Sequence, residues 1–194
     1  MGMFADKLVQ RAVAEHAEYQ GLLENQGELK SRINVYWTFL HEPGRDGADG
    51  IAWSAAFISY MVHLAGAGDL FPYSGQHSVY FYRTINDRLG HRARPFLGHR
   101  VGEVEIRPGD ILGMNRTLAP AIDYDWASHH ADYKSHADIV VDVDGAGVIH
   151  TIGGNVGREP GEIGTKTFSV TGGGLANDAK PAQKVFVVLR NYLP

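Results

Sequence analysis

The chain has 194 residues and a mass of 21.2 kDa, the size of one domain with room for a real core. With 44% apolar and 21% charged residues it has the composition of a compact globule, and it lacks an apolar run long enough to span a bilayer. Its net charge of -4 and pI near 6.2 run against the basic excess of a nucleic-acid binder. The absence of cysteine excludes disulfides, thiolate zinc sites and a cysteine nucleophile.

The N-terminus carries acids and no long apolar core, so it does not read as a secretory signal. The expectation is cytoplasmic synthesis, compatible with delivery by a phage tail or a secretion machine. Neither repeats nor a linker divide the chain, which reads as a single domain over 1–194. The sequence leaves the oligomeric state open.

Residues 3 to about 24 read as an amphipathic helix, with Phe4, Leu8, Ala12 and Val13 at helical spacing. The helix ends near 25–28. Segment 33–40 is aromatic and β-branched, which favours a strand or an ordered packing segment. Segment 41–50 is a loop by composition. Trp53, Phe57, Met61 and Leu64 then form one helical stripe, and Gly66 and Gly68 offer a stop. Residues 78–89 read as a further amphipathic helix.

After Pro108 the periodicity changes to strands. Segments 111–113, 137–143, 148–152, 168–171 and 185–190 are strand-like. Asp144–Gly147 joins two of them in a hairpin pattern. The glycine-rich stretches at 153–154 and 172–174 are turns; they lack the context of a phosphate loop. Helices first and antiparallel strands after is the α+β order.

Ser54 falls at the start of the apolar helix. Backbone N–H groups and the helix dipole there favour an anion, so it is either an N-cap or a nucleophile. A hairpin symmetric about 144–148 sets His136 opposite residue 156, with Asn155 as its near neighbour. His150 pairs with Asp142 instead, about 20 Å away at about 3.3 Å per residue. Gly153 and Gly154 permit a bulge that re-aims Asn155. Hydroxyl, imidazole and amide then make a triad by role: Ser54 the nucleophile, His136 the base, Asn155 the orienter. The bland alternatives are a helix cap, an exposed strand-start histidine and a turn asparagine. Trp53, Ser74 and His77 are candidate substrate-binding residues, and His77 is also an alternative base. Segment 128–138 holds His129, His130, Asp132, His136 and Asp138, but their spacing fits no strict metal motif. No metal or cofactor is assigned.

The segment AWSAAFISYMVHLAGAG resembles the nucleophile segment of bacterial cell-wall amidases in the NlpC and CHAP papain-like superfamily. SHADIVVDVDGAGVIHTIGGNV resembles their histidine segment, and PGDILG, with Asp110, their Pro-Gly-Asp turn. WSAAFISYM, FPYSGQHSVYFY and HADIVV…IGGNV together also resemble an uncharacterised bacterial family, the domain of unknown function DUF2272. The resemblance runs over about residues 5–190, with its specific motifs between 51 and 156. It implies a papain-like α+β domain, N-terminal helices packed on an antiparallel sheet. It further implies hydrolysis of an amide in a peptide or peptidoglycan-like substrate, with Ser54, His136 and Asn155 on the family's catalytic positions. The amidases carry cysteine where this chain has Ser54. Either serine is the native nucleophile, or hydrolysis is lost and the cleft binds a cell-wall fragment or protein, or a cysteine has been replaced. The DUF2272 family has Trp-Ser natively, which disfavours the last.

Overall fold

A computed structural model of the chain describes residues 2–116, 122–157, 160–172 and 174–194. Five helices, α1 (Met3–Tyr19), α2 (Gly27–Phe39), α3 (Ser54–Leu64), α4 (His77–Leu89) and α5 (Tyr124–His129), accompany seven strands. The strands are β1 (Phe96–His99), β2 (Ile111–Asn115), β3 (Ser135–Val143), β4 (Ile149–Val156), β5 (Glu162–Thr171), β6 (Gly174–Asn177) and β7 (Val185–Asn191). They form one sheet in the order β1-β7-β2-β3-β4-β5-β6, with every neighbouring pair antiparallel. The expected α+β class and antiparallel sheet are therefore present.

The sheet is buried on both faces, and residue alternation assigns the faces. Ile111, Ile139 and Ile152 join the core under the helices. Leu112, Val140 and Ile149 join a second cluster, covered by Val101, Val104 and Ile106 from the segment between β1 and β2. Helix α3 is mostly apolar, with Ala56, Phe57, Ile58, Met61 and Val62 fully buried. Burying each larger side chain contributes about 1.5–3 kcal/mol, so this helix is pinned between its neighbours and the sheet.

Segment 33–40 corrects the sequence reading. It lies mostly in helix α2, not in a strand. Leu29, Ile33, Tyr36 and Trp37 are the residues this helix buries, at spacings of four, three and one. That stripe outweighs the β-leaning composition. The first helix also ends earlier than expected, at Tyr19. Strands β1 and β6, four residues each, and the six-residue α5 are too short to carry a period and are not apparent in the sequence.

The hairpin of β3 and β4 keeps the expected register at its turn, with Asp142 opposite His150. It then shifts by one residue before Val140 pairs with Thr151. The β4–β5 ladder shifts again between Gly153 and Val156, the bulge that the glycine pair permits. Both glycines are sterically required. A Cβ on Gly153 would lie 1.8 Å from an Asp138 carboxylate oxygen, and one on Gly154 would lie 2.5 Å from the Trp53 ring.

Candidate functional site

Ser54 is the first residue of α3, and its helix has no side-chain cap. The cap reading of Ser54 therefore does not hold. Its Oγ instead hydrogen-bonds His77 Nε2 at 2.6 Å. His77 opens α4, so two helix starts converge here. Phe57 N–H bonds back to the Trp53 carbonyl, which leaves the N–H groups of Ala55 and Ala56 without an intrahelical acceptor. Those are the groups an oxyanion could use.

The other ring nitrogen of His77, Nδ1, makes a short hydrogen bond to the Tyr80 hydroxyl one helical turn on. Burial first, then the neighbouring His136, Arg116 and Lys166, push the His77 imidazole well below its ordinary proton affinity, against an opposing pull from Asp138. Burial holds the Tyr80 phenol well above its usual range. Both are neutral at pH 7. When Tyr80 accepts from Nδ1–H, Nε2 is bare and positioned to take the Ser54 proton.

Behind His77 lies a second array. The His136 ring centroid is 5.7 Å from that of His77, and His136 Nε2 is 2.9 Å from Asp138 Oδ1. Asp138 is fully buried, and the Lys166 ammonium grips both its oxygens at 2.8 and 3.1 Å. Burial alone would raise the Asp138 carboxyl, but the charges and hydrogen bonds of Lys166 and His136 hold it far below the usual carboxylate range. His136 is itself lowered, by burial and then by Lys166, against Asp138.

A cleft of about 800 Å³ opens over the Ser54–His77 contact. Ser54, Ala55 and His77 line it, as do Glu24 and Asn155 on one side and Arg116, Lys134 and Ser135 on another. Residues 23–174 match the profile of a family described as an uncharacterized protein conserved in bacteria, DUF2272. The chain belongs to this family. No curated protein matches the chain, and no solved structure does. Every residue of the DUF2272 site named so far, including Glu24 and Lys166, falls within the matched span.

The sequence reading of the site is rearranged in three places. The imidazole on Ser54 belongs to His77, the alternative base, while His136 turns to Asp138. Asn155 adopts a left-handed backbone, φ 56°, within the β4 bulge. Its amide donates to Glu24 Oε2 at 3.2 Å, so it orients a carboxylate and not His136. The Trp53 indole donates to the same oxygen at 2.6 Å from a fully buried position behind the cleft. Ser74 Oγ accepts from Gln76 N–H at the entry to α4, where it shapes the turn that presents His77. Of the three expected substrate contacts, His77 alone lines the cleft.

The histidine-rich segment disperses. His129 Nδ1 bonds the Asp125 carbonyl, and His130 bonds the Trp126 carbonyl and stacks on that indole at 3.8 Å. Among the described residues no group of three His, Asp or Glu side chains converges for a metal. Sequence reasoning missed Glu24 and Lys166. Glu24 carried no signal in the sequence. For Lys166 the clue was partial, since His136 and Asp138 are two apart on one strand and so share a side.

Proposed function

We propose that this DUF2272 protein is a hydrolase cleaving an amide in a peptide or peptidoglycan-like substrate, with Ser54 as nucleophile and His77 as base. The observation that carries this reading is the 2.6 Å Ser54–His77 contact on the wall of an open cleft. In the acylation step Ser54 Oγ bonds to the carbonyl carbon and its proton passes to His77 Nε2. The C–N bond then breaks, and His77 returns the proton to the leaving amine. Water, deprotonated by the same nitrogen, bonds to the acyl carbon; the Oγ–acyl bond breaks and His77 returns that proton to Ser54 Oγ. The first-turn N–H groups of α3 stabilise the oxyanion, and the Tyr80 hydroxyl holds the His77 tautomer. His136 stands one ring behind, and Asn155 fixes Glu24 at the cleft side.

We read the fold as papain-like, of the NlpC and CHAP kind. Support comes from the motif resemblance and from the head of α3 lying against an antiparallel sheet that carries His136.

A second reading has its own observation. The orienting partner of His77 is a phenol, and the nearby carboxylate, Asp138, is already neutralised by Lys166. Such an imidazole is a weak base, as suits a module that binds a cell-wall fragment without turning it over. Mass-spectrometric turnover on peptidoglycan fragments separates the two. Hydrolysis predicts product from the wild type and a loss of about 10³-fold or more in Ser54→Ala and His77→Ala. Equal inertness of wild type and Ser54→Ala, with fragment binding retained, establishes the binding module.

A further inference from the structure

The cleft mouth holds charge that no ion pair among the described residues neutralises. The β2–β3 ladder ends at the Asn115–Ser135 pair, so the next residues outward on the two chains are Arg116 and Lys134. Both are exposed, both line the cleft, and neither has an ion-pair partner among the described residues. Adjacent like charges repel, and this pair sits on a molecule whose net charge is -4. Other charged groups of the cleft differ. Arg45 is paired with Glu42 and lies over the Trp37 ring, and Glu24 Oε2 already accepts from Trp53 and Asn155. Asp132 also lines the cleft but makes no ion pair with either cation. Ser135, next to Lys134 in the chain, lines the same cleft, and its buried Oγ has no hydrogen-bond partner among the described residues. The charge of Arg116 is felt at both His77 and His136, which sets the mouth beside the reactive groups.

We propose that the Ser54 cleft takes a peptide ligand through a carboxylate held by Arg116 and Lys134, close to the amide presented to Ser54. The amide rests on the hydrolase reading; the carboxylate clamp does not. Guanidinium and ammonium donors together suit an anionic oxygen group, and Arg116 offers the planar fork that matches a carboxylate. Bound there, the ligand also removes the repulsion between the two cations. An anion beside Arg116 offsets one of the positive charges that depress His77, so the ligand itself raises the basicity of the imidazole.

The test uses Ser54→Ala protein, which cannot turn the ligand over, followed by ¹H–¹⁵N NMR. N-acetyl-dialanine as the free acid, its C-terminal amide and inorganic phosphate are titrated separately. The free acid is expected to shift signals around Ser135 and His77 saturably, with a Kd at least tenfold below that of the amide. Arg116→Gln removes that preference, and Lys134→Gln reduces it. The proposal is overturned by equal affinity for acid and amide, by no shift with either, or by a preference that survives Arg116→Gln. Tighter binding of phosphate than of the free acid, with the same Arg116 dependence, also overturns it and assigns the mouth to a phosphate-bearing ligand. Failure of the hydrolase reading alone leaves these titrations unchanged and shows only in turnover.

Discussion

Ser54 and His77 meet because two helices begin at the same place, and each brings a polar first residue to the cleft. A cysteine at 54 would report on that environment directly, since the chain has no other thiol. Helix start and imidazole both favour a thiolate, so Ser54→Cys is expected to ionise below the ordinary value of about 8.5 and to react rapidly with iodoacetamide at neutral pH. His77→Ala in that background slows the labelling more than His136→Ala does; the reverse order would return the base to His136. The buried histidines also set a pH dependence. The proton affinities of His77 and His136 in the fold lie below the ordinary value of 6.5. As pH falls below about 6.5 the unfolded chain binds protons that the folded chain refuses, so stability is full above that pH and is lost on acidification. Urea midpoints taken between about pH 7.5 and about pH 5 should fall, and His77→Gln should flatten the slope. The sequence named Ser54 through the stripe of its helix. It favoured His136 over His77 because a hairpin register can be read from the chain, whereas the approach of α4 to the head of α3 is tertiary.

The elements that hold these residues carry distinct costs. Gly154 packs its backbone against Trp53 and Phe57, so Gly154→Ala pushes β4 off α3 and is expected to destabilise by about 1–3 kcal/mol. Asp110 in the Pro-Gly-Asp turn is buried and bonds Arg190 on β7 at 2.7 and 3.1 Å. Asp110→Ala strands that guanidinium and should cost about 3–5 kcal/mol by chemical denaturation. A loss below about 1 kcal/mol would mean that Arg190 finds water instead. The turn itself was legible as Pro-Gly-Asp, but its partner lies eighty residues away in a strand whose pattern gives no hint of a buried ion pair. Helix α2 was misread for a related reason. Its Ile, Val, Tyr and Trp content leans to β, and only the packing of Tyr36 against Phe57 and Trp53 reveals which period the core selects.

At the scale of the whole molecule, one antiparallel sheet covered on both faces fixes α3, α4 and β3 around the Ser54 cleft. The class followed from the change of period after Pro108, although β1 precedes that point; the sheet order did not follow, because β7 inserts between β1 and β2 by a long-range pairing that no local pattern encodes. No helix is long and apolar enough to cross a membrane among the described residues. On the hydrolase reading, this architecture makes Ser54 nucleophilic through His77. Reaction of the intact protein with a fluorophosphonate, followed by peptide mass mapping, tests it most directly. A single stoichiometric adduct on Ser54 is expected, absent in Ser54→Ala and strongly slowed in His77→Ala. An unmodified Ser54, or labelling at Ser54 that is indifferent to His77, would contradict it.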